Sequence, residues 1–555
     1  MSRAITAGLK ARTTYNREVT LLRPVPRAVT RPLSFLVLAA WIVQMGTLVN
    51  RSYVQASANL ATDLARYGSS AQWRGVYYRD EKIGFTVSQT IPIDDGFELQ
   101  EDGRLQMSLL GATTAARIRT TARVDRAFAL RSFDFSLDPG TGAIVVRGQV
   151  DGLRLHIAIT TPSGTRTEER ALTEPPVLTL NLSRRLASDG LHPGAHHQWM
   201  IFDPATLQNA PVAVDVGARE LVRVDNRRLP AFRIDMQFAG LHTTSWVTDT
   251  GEVVREESPM GLIIVRESPE RARAMAVPFQ VRKDLIAAAA VVPETKRRID
   301  DPRDVRRLRL RLDGADLSSA DLQGVGQSVD GDIVELRDTQ TLRPGPGDPE
   351  ARRFLAPEAF IESDDPAIKA EADVAVQGGA GNRDRAERLT RYVNSIVEKK
   401  LTVSLPSARE VLRTRVGDCN EHTVLYVAMA RAAGMPARIA VGLVYVRGAF
   451  YYHAWPEVYI DEGKGRGLWL PVDPTLNQFP ADATHVRLAR GGLDRQAAIL
   501  PLVGRLKMTV VDMDLAPGST PTIVGRAPTD TTPLSIAVPR RNAAACCGCW
   551  GTPRN

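Results

Sequence analysis

The strongest constraint on the fold of this 555-residue chain comes from residues 416–475. Cys419 follows Asp418 and precedes a run in which apolar residues recur at helical spacing until Gly434 and Pro436. The pattern predicts a helix that begins at Cys419, with Asp418 as its N-cap. Unpaired backbone N–H groups and the positive end of the helix dipole favour thiolate over thiol at this place. The segment therefore predicts a nucleophilic cysteine.

Three strand-like runs follow the helix, at residues 438–446, 449–460 and 468–473. If the last two form an antiparallel hairpin with its tip near Gly463, His453 lies directly opposite Asp473, close enough for the imidazole to donate to the carboxylate. A slip of one residue would place the two side chains on opposite faces. The arrangement predicts a relay in which Cys419 is the nucleophile, His453 is the base and acid, and Asp473 orients the ring.

Three segments in this order, GDCNEHTVLYVAMARAAGMPARIAVGLVY, YYHAWPEVYI and WLPVDPTLNQFPADATHV, resemble the bacterial transglutaminase-like superfamily, whose catalytic core is similar to that of papain. The resemblance covers about residues 358–492 and implies the same roles for Cys419, His453 and Asp473. It also implies an α+β catalytic domain acting on protein or peptide amides. The superfamily includes cross-linking enzymes, peptidases, amidases and relatives without activity, so hydrolysis and transamidation both remain open.

Three further residues are candidates for the substrate pocket. Trp455 lies on the same strand face as His453, and it either forms a wall of the pocket or is a core aromatic. His422 lies one turn along the helix from Cys419 and either lines the site or packs behind it, which is the favoured interpretation. Asn420 directly follows the cysteine. No cofactor or metal is expected, and calcium in particular is not implied, since no acidic loop has EF-hand spacing.

The N-terminal region predicts a membrane anchor. Residues 33–49 carry no charge and reach the lower length limit for spanning a bilayer. Basic residues precede this run, which predicts a cytoplasmic tail at 1–32, a transmembrane helix or signal anchor at 33–50, and a periplasmic or otherwise extracytoplasmic body in a single-pass inner-membrane protein. A cleaved signal peptide and a buried core helix are the alternatives. The basic tail also accounts for part of the net charge of +8, so nucleic-acid binding is not expected.

Cysteine usage agrees with a chemical role for Cys419. Of the four cysteines, the other three lie in the C-terminal sequence CCGCW, which lacks the paired CxxC spacing of a metal site. A solitary cysteine in an exported body does not belong to a disulfide framework. A small buried thiol is the alternative.

The rest of the chain predicts a multidomain α+β protein rich in antiparallel strands. Alternating runs separated by turn residues predict a β-sheet domain at 58–275, followed by a small β unit and linker at 280–345. The catalytic domain is expected at 350–495, and an edge strand and disordered tail at 496–555. In the β-sheet domain, the opening WRGVYYRDEKIG and the ending WVTDTGEVVREE resemble a curved-sheet module of exported lipid-handling proteins. The domain therefore either binds a hydrophobic or peptide ligand or a cell-envelope partner, or acts as a scaffold. An exported thiol acyltransferase or hydrolase is the favoured function, and a catalytically silent scaffold is the alternative.

Overall fold

The computed structural model describes residues 71–523, except for gaps at 110–111, 141, 225–226, 239–240, 259–260, 276–285, 287–288, 402–404, 492–498 and 520–521. The predicted basic tail, the apolar segment 33–50 and residues 524–555 lie outside the described residues, so the interpretations made for them remain predictions. Within the described part of the chain, no helix is both long enough and apolar enough to cross a membrane.

A 14-stranded antiparallel sheet contains most of the first half of the chain, as the alternating pattern predicted. Each strand pairs with the next in sequence except at one break between β8 and β9, and β1 pairs with β14. The strands are β1 (Gln72–Tyr78), β2 (Glu81–Ile93), β3 (Gly96–Leu109), β4 (Ala112–Asp125), β5 (Leu130–Asp138), β6 (Ile144–Asp151), β7 (Arg154–Thr161), β8 (Gly164–Ala171), β9 (His196–Asp203), β10 (Gln208–Val224), β11 (Arg227–Phe238), β12 (Leu241–Val247), β13 (Val253–Glu257) and β14 (Leu262–Glu267).

A helix that the sequence analysis did not predict fills the break between β8 and β9. This helix, α1 (Thr179–Asp189), buries Leu182 and Leu186, which are four residues apart and therefore lie on one helical face. Its start is fixed by Asn181, whose side chain accepts a hydrogen bond from the backbone N–H of Leu178 at 2.8 Å. A short helix, α2 (Pro269–Arg273), follows the last strand of the sheet.

The small β unit is a four-stranded sheet in the order β17-β18-β16-β26. Its edge strand β26 comes from the C-terminal segment and pairs with the central strand β16, so distant parts of the chain form one sheet. A two-residue pair, β15 with β27, repeats this connection. The strands are β15 (Arg297–Arg298), β16 (Val305–Asp313), β17 (Gln327–Asp330), β18 (Ile333–Arg337), β26 (Lys507–Leu515) and β27 (Thr522–Ile523).

The C-terminal domain packs helices against a five-stranded sheet in the order β19-β24-β23-β22-β25. The helix at Cys419 follows the sequence prediction, and the side chain of Ser407 caps the short helix before the cysteine loop by accepting the backbone N–H of Glu410. The elements are β19 (Gly345–Pro346), α3 (Pro366–Val376), α4 (Asn382–Ile396), β20 (Glu398–Lys399), α5 (Ala408–Thr414), β21 (Val416–Gly417), α6 (Cys419–Ala432), β22 (Ala437–Val446), β23 (Ala449–Gly463), β24 (Arg466–Pro471) and β25 (Val486–Arg490).

The tip of the β7–β8 hairpin contacts the helix that leads into the cysteine loop. The hydroxyl of Ser163 donates to the carboxylate of Glu410 on α5 at 2.7 Å. Phe360 and Leu405 from the C-terminal domain belong to the same apolar cluster as the buried faces of β3 to β7. The large sheet therefore supports the segment that positions Cys419.

We expect a double-mutant cycle between Ser163→Ala and Glu410→Ala to give a coupling free energy of about 1 kcal/mol. Each single variant loses the same part-buried hydrogen bond, so the double variant is destabilised by less than the sum of the two single changes. Urea unfolding of the four proteins measures this quantity. The pair Ser163→Ala and Glu387→Ala, which share no hydrogen bond, is the control and should show additive changes. Additivity in the Ser163–Glu410 cycle would contradict the expectation.

Candidate active site

Cys419 is the first residue of α6, where the sequence analysis placed it. The side chain of Asp418 accepts a hydrogen bond from the backbone N–H of Asn420 at 2.8 Å. The carboxylate of Glu421 reciprocally accepts the N–H of Asp418 at 2.8 Å, which completes a capping box. The helix start is therefore fixed on both sides of the cysteine.

The start of α6 docks on the backbone of β23 beside His453. The hydroxyl of Thr423 donates to the carbonyl of Ala454 at 3.0 Å. Cys419, one turn earlier, has a hydrogen bond with the backbone of the same residue. Ala454 directly follows His453, so main-chain contacts bring the cysteine and histidine segments together.

The hairpin that carries His453 has a register different from the predicted one. The structure pairs Tyr459 with Trp469, whereas the prediction would have paired Tyr459 with Gly467. Asp473 lies beyond the end of β24 and pairs in a short bridge with Gln478. Because the difference is two residues, His453 and Asp473 still lie on the same face.

His453 and Asp473 form the predicted side-chain pair. The distance from Nε2 of His453 to Oδ2 of Asp473 is 2.8 Å, and Asp473 is completely buried. Burial, the largest single influence, works to raise the pKa of Asp473, but the charges and hydrogen bonds of His453 and His485 together lower the pKa well below its usual range. Asp473 is therefore an anion that holds the proton of His453 on Nε2 and leaves Nδ1 as the basic nitrogen.

A second histidine, which the sequence analysis did not identify, contacts the same carboxylate. Nε2 of His485 lies 3.1 Å from Oδ2 of Asp473, and Nδ1 lies 3.2 Å from Oδ1 of Asp482. His485 is 6% exposed. It lies within the segment ADATHV that carries part of the family resemblance, and this was the only sequence signal for it.

The surroundings of Cys419 oppose the thiolate that the helix start favours. Burial raises the pKa of the Cys419 thiol well above its usual value, and the carboxylates of Asp418, Glu421 and Asp473 act in the same direction. The hydrogen bond with the backbone of Ala454 lowers the pKa. A lone thiolate is thus disfavoured here, so a stable thiolate requires a nearby cation.

The three candidate pocket residues differ in exposure. Trp455 is 1% exposed and its ring lies 6.1 Å from that of His453, so it packs beneath the histidine as a core aromatic. His422 is fully buried, and its Nδ1 lies 2.6 Å from the carbonyl of Asp418, which agrees with the favoured packing interpretation. Burial lowers the pKa of His422. Asn420 remains partly exposed beside Cys419 and is the one of the three that a substrate can reach.

The side-chain atoms of His453, Asp473 and His485 lie within 4.8 Å of one another, as the ligands of a metal ion would. However, both Nε2 atoms point at one oxygen of Asp473 at hydrogen-bonding distance. A hydrogen-bonded chain satisfies all three groups without an ion. We therefore interpret the cluster as a relay.

Comparison with known proteins identifies the domain that contains this site. Residues 370–474 match the Transglutaminase-like superfamily, so the C-terminal part of the chain carries a domain of that superfamily. Uncharacterized proteins of Mycobacterium bovis and Mycobacterium tuberculosis are 30% identical over 118 residues, which cover 20% of this chain and 37% of theirs. The match thus spans little more than a third of the length of these curated relatives.

Two solved structures show more distant similarity. A beta-barrel-like protein of a domain of unknown function from Brucella abortus is 11% identical, with a TM-score of 0.28, and the match covers 36% of this chain and all of the other. The periplasmic domain of TgpA from Pseudomonas aeruginosa is 21% identical, with a TM-score of 0.21, and the match covers 31% of this chain and 73% of the other.

Proposed function

We propose that this chain is a thiol-dependent enzyme that acts on amide groups of protein or peptide substrates through Cys419, His453 and Asp473. The observation that carries the proposal is the 2.8 Å contact between His453 and Asp473 on the strand where the helix of Cys419 docks. A base with a fixed tautomer beside a cysteine at a helix start is the arrangement required for nucleophilic catalysis.

The reaction begins when the sulfur of Cys419 attacks the amide carbonyl and the thiol proton passes to Nδ1 of His453. The resulting imidazolium is stabilised by the buried anion of Asp473. The backbone N–H of Cys419, at the first position of α6, has no acceptor within the helix and stabilises the oxyanion, whereas the next N–H, that of Asn420, is bound by Asp418. As the C–N bond breaks, His453 returns its proton to the departing amine, which leaves a thioester on Cys419.

The second half of the reaction uses the same groups in reverse. His453 removes a proton from water or from an amine, which attacks the thioester and restores the thiol. Attack by water gives hydrolysis, and attack by an amine gives transamidation. We favour hydrolysis, because Cys419 is partly exposed and water can reach its thioester.

The proposed location is the outer side of the inner membrane, with the segment 33–50 as the anchor and the body in the periplasm. The β-sheet domain would then meet peptide substrates or a cell-envelope partner. A catalytically silent scaffold, with the β-sheet domain as the binding part, is the second candidate, and the raised pKa of Cys419 favours it.

Alkylation of the full-length protein with iodoacetamide across about pH 4–9 tests the proposal, with the Cys419 adduct measured by mass spectrometry. We expect Cys419 to react well below the free-thiol pKa of about 8.5, because transfer of its proton to His453 replaces a lone buried anion with an ion pair. His453→Ala should remove this reactivity, and His156→Ala on the exposed face of β7 should not. In parallel, ammonia release and amine incorporation with glutamine-containing peptides distinguish hydrolysis from transfer. A Cys419 that is equally inert in wild type and His453→Ala would favour the scaffold.

A further inference from the structure

His485 lies between two carboxylates, and each of its ring nitrogens faces one of them. Nε2 is 3.1 Å from Asp473 and Nδ1 is 3.2 Å from Asp482. A neutral imidazole has one N–H and one lone pair, so it would direct a lone pair at one of the two carboxylates. An imidazolium donates to both. The geometry therefore favours two protons on this ring.

The second carboxylate is itself fixed by the loop that follows Asp473. Asp482 accepts hydrogen bonds from the hydroxyl of Thr484 at 2.6 Å and from the side-chain amide of Gln478 at 2.7 Å. Gln478 also exchanges two backbone hydrogen bonds with Asp473, at 2.8 and 2.9 Å. Gln478 therefore connects the two ends of the loop at residues 473–482, so Asp482 holds His485 at a fixed distance from Asp473.

We propose that His485 is a positioning residue, held as a cation between Asp473 and Asp482, that keeps Asp473 charged and oriented toward His453. This inference rests on the proposed function and adds a fourth member to the relay. Oδ2 of Asp473 accepts from both histidines, while its Oδ1 accepts the backbone N–H of Leu476 at 2.9 Å. The carboxylate therefore cannot rotate without losing one of these partners.

A positive charge on His485 would act on the anions that surround the Cys419 thiolate. The charges of Asp418, which caps α6, of Glu421 in its first turn and of Asp473 beyond β24 all act on Cys419, so the thiolate meets three anions. The facing groups around His485 are Asp473, Asp482, the ring of His453 at 6.0 Å and the ring of Trp455 at 5.2 Å. Burial works to lower the pKa of His485, but its two carboxylate partners raise it to about 10. A cation that persists through neutral pH partly offsets the anions that oppose the thiolate.

The protonation state of His485 can be measured in the wild-type protein without any activity. In full-length protein labelled with 15N-histidine, we expect both ring nitrogens of His485 to remain protonated from about pH 6 up to about pH 9, where a histidine with the ordinary pKa of about 6.5 is neutral. The signal is assigned by its loss in His485→Gln, or by its proximity to the indole of Trp455 if that variant does not fold. A ring that is neutral at pH 7 would overturn the inference.

The positioning role is tested by the pH profile of Cys419 alkylation. We expect His485→Gln, which can donate to only one carboxylate and carries no charge, to raise the midpoint by about 0.5–1 pH unit, equivalent to about a 3- to 10-fold slower reaction below the midpoint. His156→Gln is the matched control. An effect on folding alone would lower the amount of reactive protein without moving the midpoint.

The outcomes separate this inference from the proposed function. If His453→Ala removes the reactivity of Cys419 and His485→Gln leaves the midpoint unchanged, the enzyme proposal stands and the positioning role is wrong. If Cys419 is inert in wild type while His485 is doubly protonated, the enzyme proposal fails, and the positioning role with it. One equivalent of bound metal, with loss of the Nε2 proton signal that EDTA restores, would also overturn the inference, since a metal-bound nitrogen carries no proton.

Discussion

Asp473→Asn is expected to lower thiol-dependent turnover by about 10²- to 10⁴-fold, the range that a correctly positioned general base contributes. The asparagine nearly preserves the volume of the buried carboxylate but removes the negative charge that stabilises the imidazolium of His453. Its amide can also present an N–H to Nε2, which would favour the wrong histidine tautomer. The measurement is kcat/KM for ammonia release from a glutamine-containing peptide that the wild-type protein accepts.

The matched control for this variant is Asp373→Asn, because Asp373 is exposed on α3, away from the relay. It should retain wild-type turnover. A variant at Asp473 that keeps its circular dichroism spectrum and also keeps wild-type turnover would remove the carboxylate from the mechanism. The alkylation rate of Cys419 should fall in Asp473→Asn as well, because the imidazolium partner of the thiolate is destabilised.

Glu457→Ala is expected to destabilise the protein by about 3–5 kcal/mol, since it leaves buried cations without their counter-ion. Glu457 is 4% exposed on β23, and three guanidinium groups contact its carboxylate: Arg438 at 2.8 Å, Arg490 at 3.0 Å and Arg487 at 3.1 Å. Arg490 also reaches Asp321 at 2.6 Å, which connects the catalytic sheet to the small β unit. Urea unfolding monitored by tryptophan fluorescence measures the loss.

The same carboxylate predicts part of the acid sensitivity. Burial works to raise the pKa of Glu457, but the three arginines together lower it to about 2. Its folded pKa thus lies below the unfolded value of about 4.3, so its contribution to stability is complete above pH of about 4.3 and disappears as the pH falls toward 2. In Glu457→Gln, the free energy of unfolding should change less between about pH 4.3 and 2 than it does in the wild-type protein. Glu462→Ala, on the exposed end of β23, is the control and should change stability by less than about 0.5 kcal/mol.

Local patterns were sufficient for the elements that carry the site. The N-cap residue Asp418 marked the start of α6, and the strand-like run at residues 449–460 placed His453 on a strand. These features depend on residues within one or two turns of each other, so sequence spacing reports them directly. The pairing of His453 with Asp473 was also anticipated, because a two-residue error in register leaves the side chains on the same face.

The register itself was wrong because of the turn. The sequence favoured a tip at Gly463, but the two tip residues are Lys464 (φ 52°) and Gly465 (φ 68°), and the pairing shifts between Asp461 and Gly463. A lysine with positive φ is uncommon, so the sequence offers no signal for a tip at this position. This tip moves the register by three residues, and the irregularity between Asp461 and Gly463 takes one back, which leaves the two-residue difference.

The sequence by itself determined the antiparallel strands, the helix that begins at Cys419 and the residue types of the relay, because periodicity, capping and turn chemistry are local properties. Only the tertiary structure decided that β26 joins the small β unit, that Trp455 is buried beneath His453, and that His485 binds the far side of Asp473. The same holds for the burial of Cys419 and for the nearby Asp473, which both raise the pKa of its thiol. Each of these features depends on which distant segments of the chain pack against each other. The spacing of residues within a single helix or strand carries no information about such packing.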